Sequence, residues 1–389
     1  MYRPARVLSL VVVAALLLLM IPAAASAEAP SRVIVRFTAP SDESVALAGL
    51  RRLGGARLKG LPIIGGAVVE LPDPAAARAA ARLPGVASVE PDIRIDALAK
   101  GGGVRAQPAE VLPWGVRRVG ADVVWPANTA DPVKVAVVDT GIQPDHPDLV
   151  GNVKDGMSAV SYTTKWADDN GHGTHVAGTI AAVDNSIGVI GVAPAADLYA
   201  VKVLDRRGSG WLSDIIEGLQ WSAVNGMDVV NLSLGTSVYS ASFDAAVQNT
   251  IDSGVVVVAA AGNSGPGENT VGYPAAFPNV IAVAATDSSD NVAWFSSRGP
   301  QVTIAAPGVS VYSTYKGSAY QTLSGTSMAS PHVAGAVALT LNTAPGAWDI
   351  DSDGWDPAEV RAKLIAGAED LGPAGFDTAF GYGLVRADR

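Results

Sequence analysis

Five stretches of this chain are apolar without alternation. "VKVAVVDT" (133–140), "LYAVKVL" (198–204), "DVVNLSL" (228–234), "GVVVVAAAG" (254–262) and "NVIAVAA" (279–285) are rich in β-branched residues, and polar residues do not recur at every second position. Runs of this kind predict strands buried on both faces of a parallel sheet. Between them, "GTHVAGTIAAV" (173–183), "SDIIEGLQWSAV" (213–224) and "FDAAVQNTIDS" (243–253) space their apolar residues as helices do. The alternation predicts an α/β domain with a mainly parallel sheet flanked by helices, and ligands bound beyond the carboxyl ends of its strands. The pattern before residue 98 is different. "RVIVRF", "GGAVVEL" and "VASVEPDI" read as strands, and "SVALAGLRRL" and "PAAARAAARL" as helices, which makes a small α+β unit over residues 28–98. The glycine run of "KGGGVRAQPAE" (100–110) reads as a flexible link to the larger domain.

Charge supports that boundary. Residues 28–98 carry 9 Lys/Arg and 8 Asp/Glu, whereas the rest of the chain from residue 99 carries 16 and 29. The formal net charge of −10 makes nucleic acid a poor partner. The chain has no cysteine, so neither a disulfide nor a thiol nucleophile is available. At the N-terminus, Arg3 and Arg6 precede the apolar "VLSLVVVAALLLLMIP", and the small-residue pattern Ala25–Ala27 follows. This reads as a secretory signal over residues 1–27, cut after Ala27; the apolar run is short for a membrane span and no other segment could insert stably in one. A secreted chain without disulfides needs another source of rigidity.

The candidate chemistry lies at element boundaries. Asp139 ends the first strand run of the large domain, His172 opens a helix, and Ser327 lies in "SGTSMASPHVAGAVAL" just ahead of a long apolar helix. Each alone has a commoner role, as a turn or cap residue. Together they supply an acid, a base and a hydroxyl in the order Asp, His, Ser. Two of the chain's four histidines, His172 and His175, stand three apart in "DNGHGTHVAG". A shared zinc ion is a poor explanation, because the spacing is not four and no glutamate follows either histidine. His175, His146 and His332 read as structural.

The motifs "VVDTGI", "NGHGTHVAGTI" and "GTSMASPHVAG" resemble the three signatures of subtilisin-like serine proteases, and the resemblance runs from about residue 110 to the end. It implies a three-layer α/β fold over 110–389, with residues 28–98 as an inhibitory propeptide and 99–109 as linker and mature N-terminus. It also implies a nucleophile Ser327, a base His172, an orienting acid Asp139 and an oxyanion donor Asn263. Peptide would be held as an added strand between Ser233, Leu234 and Gly235 on one side and Ser209 and Gly210 on the other. Leu204, Leu212, Ile215 and Leu234 would line an apolar pocket for the fourth residue before the cut. Gly272 would leave the primary pocket deep enough for large apolar side chains. The end of the propeptide then places Leu98 in the primary pocket and Ile95 in the apolar one, with self-cleavage after Leu98; a cut after Lys100, or later trimming, is the alternative.

The resemblance extends to calcium. "AAVDNSIGVIGVAP" (181–194) is similar to a calcium loop, with ligands from the carbonyls of Val183, Ile187 and Val189, the Asn185 side chain and Asp148, and Glu110 as a further candidate. "DIDSDGWDPAEV" (349–360) begins like an EF-hand loop at Asp349, Asp351 and Asp353, with its closing acid one place early at Glu359. The expected protein is a secreted, self-processing monomeric endopeptidase acting on proteins or peptides, with structural calcium and no catalytic cofactor. The rivals are an inactive peptide-binding module in the same groove and a zinc hydrolase.

Overall fold

The computed structural model describes residues 30–99, 104–105, 107–344 and 346–389. The signal sequence and Lys100 lie outside the described residues. The first unit has strands β1 (Ser31–Phe37), β2 (Ala56–Leu61), β3 (Gly66–Leu71) and β4 (Val86–Pro91), with helices α1 (Glu43–Arg52) and α2 (Pro74–Ala80). Its antiparallel sheet has the order β2-β3-β1-β4. The next strand, β5 (Arg94–Ala97), leaves this sheet, and β6 (Val104–Arg105) follows.

In the large domain, α3 (Trp114–Arg118) and α4 (Ala121–Val124) lead into β7 (Lys134–Asp139), β8 (Val153–Ser158), α5 (His172–Ala181) and β9 (Asp197–Lys202). Then come β10 (Ser209–Trp211), α6 (Leu212–Val224), β11 (Val229–Leu232), β12 (Leu234–Gly235) and α7 (Ala241–Asp252). The rest comprises β13 (Val256–Ala260), β14 (Ile281–Thr286), β15 (Ile304–Pro307), the hairpin β16 (Val311–Tyr315) and β17 (Ala319–Leu323), α8 (Thr326–Leu341) and α9 (Pro357–Gly367). Seven strands form one parallel sheet of order β15-β14-β13-β11-β7-β9-β8.

The unbroken apolar runs follow from the two covered faces of this sheet. Along β7, Val135 and Val137 join the core beneath α5 and α8, while Ala136 and Val138 join the core beneath α6 and α7. Strand order reverses at β7 and β11, which opens a crevice at their carboxyl ends. None of the described helices is long and apolar enough to cross a membrane.

The small unit uses its sheet in the same two-sided way. Val33, Val35 and Phe37 of β1 face α1 and α2. Ile34, with Leu61, Ile64 and Val68, packs instead into the core around α6 and α7. The helix N-termini in that interface receive acids. Asp92 accepts from the Ser213 N–H (2.9 Å) and Oγ (2.7 Å) at the start of α6, and Glu90 accepts from Ser240 Oγ (2.6 Å) and the Ser242 N–H (3.3 Å) at the start of α7. Carboxylates are favoured there by the helix dipole.

Four segments differ from the sequence expectation. The link over 100–110 is docked in part: β6 pairs with the outer edge of β17, and Ala109 and Val111 bridge to Ile187 and Val189. A free strand edge attracts pairing whatever the sequence beside it. The strand run through Leu234 breaks at Ser233, so that β12 pairs with β5 instead of continuing the large sheet. Strands β2 and β8 are edge strands with polar, exposed faces, which hides them from a reading of apolar runs.

Close approach of β16 to α5 depends on Gly178. A Cβ there would lie 2.1 Å from Thr314 Oγ1 and 2.6 Å from Ser313 Oγ, hydroxyls that donate to the carbonyls of Thr174 and His175. In a Ser327→Ala background, Gly178→Ala is expected to lower stability by about 1–3 kcal/mol. Urea unfolding checks this, and an unchanged midpoint would show that the hairpin yields without cost.

Candidate active site

Asp139 is the last residue of β7 and is fully buried. Its Oδ1 accepts from the Thr140 N–H at 2.7 Å and lies 2.8 Å from His172 Nδ1; Oδ2 lies 2.9 Å from the same nitrogen. A carboxylate accepts, so Nδ1 carries the proton. In register with Asp139 is Lys202, the fully buried end of β9. Its Nζ donates to Thr140 O (2.6 Å), Leu204 O (3.1 Å) and Asp169 Oδ1 (2.6 Å), which ties the strand end to the loop before His172.

His172 opens α5, and its Nε2 is buried without a partner among the described residues. The first turn of the helix is held by Asp168. That carboxylate accepts from the N–H groups of Asn170 (2.8 Å), Gly171 (2.8 Å) and Thr174 (3.0 Å), and from the hydroxyls of Thr140 (2.9 Å) and Thr174 (2.6 Å). Burial alone would lower the pKa of His172. The charge and hydrogen bond of Asp139, with the more distant charge of Asp168, outweigh it and hold the pKa above the usual value. An imidazole fixed in this tautomer with a free Nε2 can act as a general base.

Ser327 is the second residue of α8. Its Oγ donates to Ser233 O at 2.8 Å, and Ser233 Oγ donates in return to Ser327 O at 2.9 Å. The second bond depends on Pro331. A proline inside the helix has no N–H for the carbonyl four residues earlier, which leaves Ser327 O open to Ser233. Asn231 Nδ2 donates to Ser233 Oγ at 2.9 Å and holds it in place.

The crevice contains part of the chain itself. β5 lies between β10 and β12, antiparallel to both, with Ile95 opposite Gly210, Asp96 opposite Ser209 and Gly235, and Ala97 opposite Leu234. Ile95 is buried in the same core as Leu204, Leu212, Ile215 and Leu234. Leu98 follows in the cavity formed with Gly235, Ala261, Asn263 and Gly272. Its N–H points to Ser233 O at 3.4 Å, and its carbonyl accepts from Asn263 Nδ2 at 2.9 Å. Asn263 is held in turn by the N–H and Oγ1 of Thr326, each 3.0 Å from its Oδ1. At Gly325, a Cβ would come within 2.4 Å of Leu98 O, so only glycine admits this approach.

The other histidines are turned to carbonyls. His175 Nε2 donates to Val311 O (3.1 Å) and Gln321 O (3.0 Å), and burial lowers its pKa to about 3. His332 Nδ1 donates to Met328 O at 2.8 Å, and burial lowers its pKa to about 4. His146 Nε2 donates to Ala319 O at 3.0 Å. Among the described residues, the one converging group of three or more potential metal-binding side chains is Asp349, Asp351 and Asp353, and it contains no histidine. In that loop, Glu359 is committed to capping α9. It accepts from the N–H groups of Ile350 (2.6 Å) and Asp356 (3.3 Å), so it does not close the loop as an EF-hand acid would.

Asp148 is buried beneath the loop over 181–194. Its oxygens accept from Asn185 Nδ2 (2.9 Å) and the Val189 N–H (2.8 Å), and burial pushes its pKa up to about 6. Glu110 accepts from the Asn185 N–H at 2.7 Å. The carbonyls of Val183, Ile187 and Val189 accept no backbone hydrogen bond among the described residues. A buried carboxylate with no cationic side chain beside it, together with uncommitted carbonyls, is an oxygen-only donor set that suits a divalent cation such as calcium.

Fold and site together define a serine hydrolase of the α/β class, and the chain belongs to the subtilase family, whose model matches residues 130–383. It is 50% identical over 281 residues to Subtilisin Savinase of Lederbergia lenta, which covers 72% of this chain and 98% of that one. An alkaline protease of Shouchella clausii is also 50% identical over 281 residues, with 72% and 70% covered. Subtilisin E of Bacillus subtilis is 48% identical over 281 residues, with 71% and 70% covered. The protein is thus a subtilisin-like serine endopeptidase. Sequence reading missed Asp168, Lys202 and Pro331. Only Pro331, a proline inside a helix, leaves a distinct mark; the acid in "DDNGH" and the lysine in an apolar run look ordinary in the sequence.

The activity of such a base rises with pH through the His172 pKa. Asp168→Asn removes a charge that favours the imidazolium, so the acidic limb of kcat/KM is expected to move to lower pH. A pH–rate profile checks this, and an unmoved limb would show that the Asp168 charge does not act on the ring.

Proposed function

We propose that this chain is a secreted serine endopeptidase that cuts itself after Leu98, with residues 28–98 serving as its folded inhibitor. The observation that carries the reading is the Leu98 carbonyl, 2.9 Å from the Asn263 amide, at the end of a strand held between two rails of the crevice. Ser327 Oγ leaves the Ser233 carbonyl, passes its proton to His172 Nε2 and attacks the Leu98 carbonyl carbon. Asp139 stabilises the imidazolium that results. The oxyanion is held by Asn263 Nδ2 and the Ser327 N–H in the first turn of α8. His172 then protonates the leaving amine of Ala99, and water releases the acyl group. Later substrates follow the same course with an extended segment in place of β5, and the cavity that takes Leu98 favours large apolar side chains before the cut bond.

Calcium at the loop over 181–194 would be held by Asp148, the Asn185 side-chain oxygen and the carbonyls of Val183, Ile187 and Val189. It would supply the positive charge that the buried Asp148 lacks and brace a chain without disulfides. The carboxylates of Asp349, which is half-buried, and of the exposed Asp351 and Asp353 offer a second site of the same donor chemistry.

Intact mass of the secreted product tests the central claim. Wild type is expected to begin at Ala99, and Ser327→Ala to keep residues 28–98; retention of the small unit by both would overturn self-processing. For calcium, EGTA is expected to lower the Tm of the Ser327→Ala protein by on the order of 5–10 °C, and to have much less effect once Asp148→Asn is added. Equal losses in both would move the ion elsewhere.

A further inference from the structure

Occupation of the crevice extends one residue beyond the apolar pocket. Arg94, the fifth residue before the Leu98–Ala99 bond, stands opposite Trp211 on β10. Its guanidinium carbon is 5.0 Å from the centroid of the Trp211 ring, and Nη2 is 3.2 Å from Asp205 Oδ2. Asp205 is prepared for this contact by its own turn. Its Oδ1 accepts from the N–H groups of Arg207 (2.8 Å) and Ser209 (3.2 Å), which leaves Oδ2 for a cation. Burial works against its charge, but those N–H groups and Arg94 outweigh it and keep the carboxyl ionised below its usual range.

Both partners of Arg94 belong to the catalytic domain and stay when the small unit departs. Arg32, whose guanidinium carbon is 4.9 Å from the same ring centroid, leaves with that unit and frees the indole. Arg207 also approaches Asp205 Oδ2, at 3.6 Å, but its side chain is 81% exposed, and solvent-facing pairs of this kind contribute little. Aromatic face and carboxylate together suit a planar cation better than a point charge, since guanidinium can stack on one and hydrogen-bond to the other.

We propose that Trp211 and Asp205 form a binding subsite for a cationic side chain, arginine above lysine, at the fifth residue before the cut bond of substrates. The inference rests on the reading that Arg94–Leu98 occupies the crevice as a substrate does. The Arg94 side chain is 37% exposed, so the gain is that of a partly screened pair and a surface cation–π contact, about three- to tenfold in kcat/KM.

The test uses the processed enzyme and peptides that carry the chain's own Ile95–Leu98 segment followed by alanine, preceded by arginine, alanine or glutamate. Arginine is expected to be preferred over alanine, and alanine over glutamate, with the cut after leucine in all three. The preference is expected to shrink in 1 M NaCl, to fall below twofold in Asp205→Asn and to weaken in Trp211→Leu. Asparagine keeps an oxygen for the two turn N–H groups, so the first variant retains its loop. Equal rates with the cut after leucine would overturn the subsite alone, as would a preference that survives both substitutions. Cutting at another bond, or no cutting, would overturn the register of β5 on which the inference rests.

Discussion

A carboxylate with no solvent contact at the end of β7 is the constraint around which the site is built. An isolated buried charge costs several kcal/mol, so Asp139 must be met by donors from the protein. One is the next backbone N–H in the chain, and the other is His172 Nδ1. To deliver the second, α5 has to begin at one place and in one orientation. Asp168 gathers the first turn of that helix, Thr140 links it back to the strand end, and the Lys202 ammonium closes the gap from behind. The proposed catalytic apparatus is, at the level of folding, the solution to a burial problem.

The proposed nucleophile, Ser327, is placed by a different device. A proline in α8 gives up one helical hydrogen bond, and the carbonyl so released is bound by the side chain of the residue whose own carbonyl receives Ser327 Oγ. Ser233 is thus a two-way anchor between β11 and α8. It is also the point where the strand leaves the large sheet to become a rail of the crevice, so the serine and the substrate edge are set by the same residue. The small unit fits this surface through apolar continuity and charge together. One face of its sheet extends the core around α6 and α7, and its acids and bases meet helix ends and carboxylates of a domain that is acidic as a whole.

The sequence made the large sheet legible because both of its faces are covered. "GVVVVAAAG" and "NVIAVAA" have no other reasonable reading than buried strands, and the helices between them keep regular spacing. The edge strands β2 and β8 were not legible. The residues of β2 and β8 are chosen by solvent on one side, and the hairpin β16–β17 is defined by its packing on α5. Asp139, His172 and Ser327 could be proposed because each lies in a motif that resembles a signature of subtilisin-like proteases, and Asn263 followed only from that resemblance. Asp168 and Lys202 could not be proposed, because an acid in a loop and a lysine in a strand look ordinary until the fold brings them under the same turn. The glycine-rich link was misread in part, since pairing of β6 depends on the free edge of β17 and on nothing in its own composition.

The two rails of the crevice have a consequence for what can be cut. β5 is hydrogen-bonded on both sides, so under the proposed function a substrate taking its place must present an extended backbone with both edges free over about five residues. In a folded protein, a helix has spent those groups within itself, and a strand inside a sheet has spent them on its neighbours. Only a segment that has opened can enter. When such opening is fast relative to cutting, the rate of attack follows the population of the opened form. The enzyme would then discriminate among proteins less by their sequences than by how often each part of them comes undone.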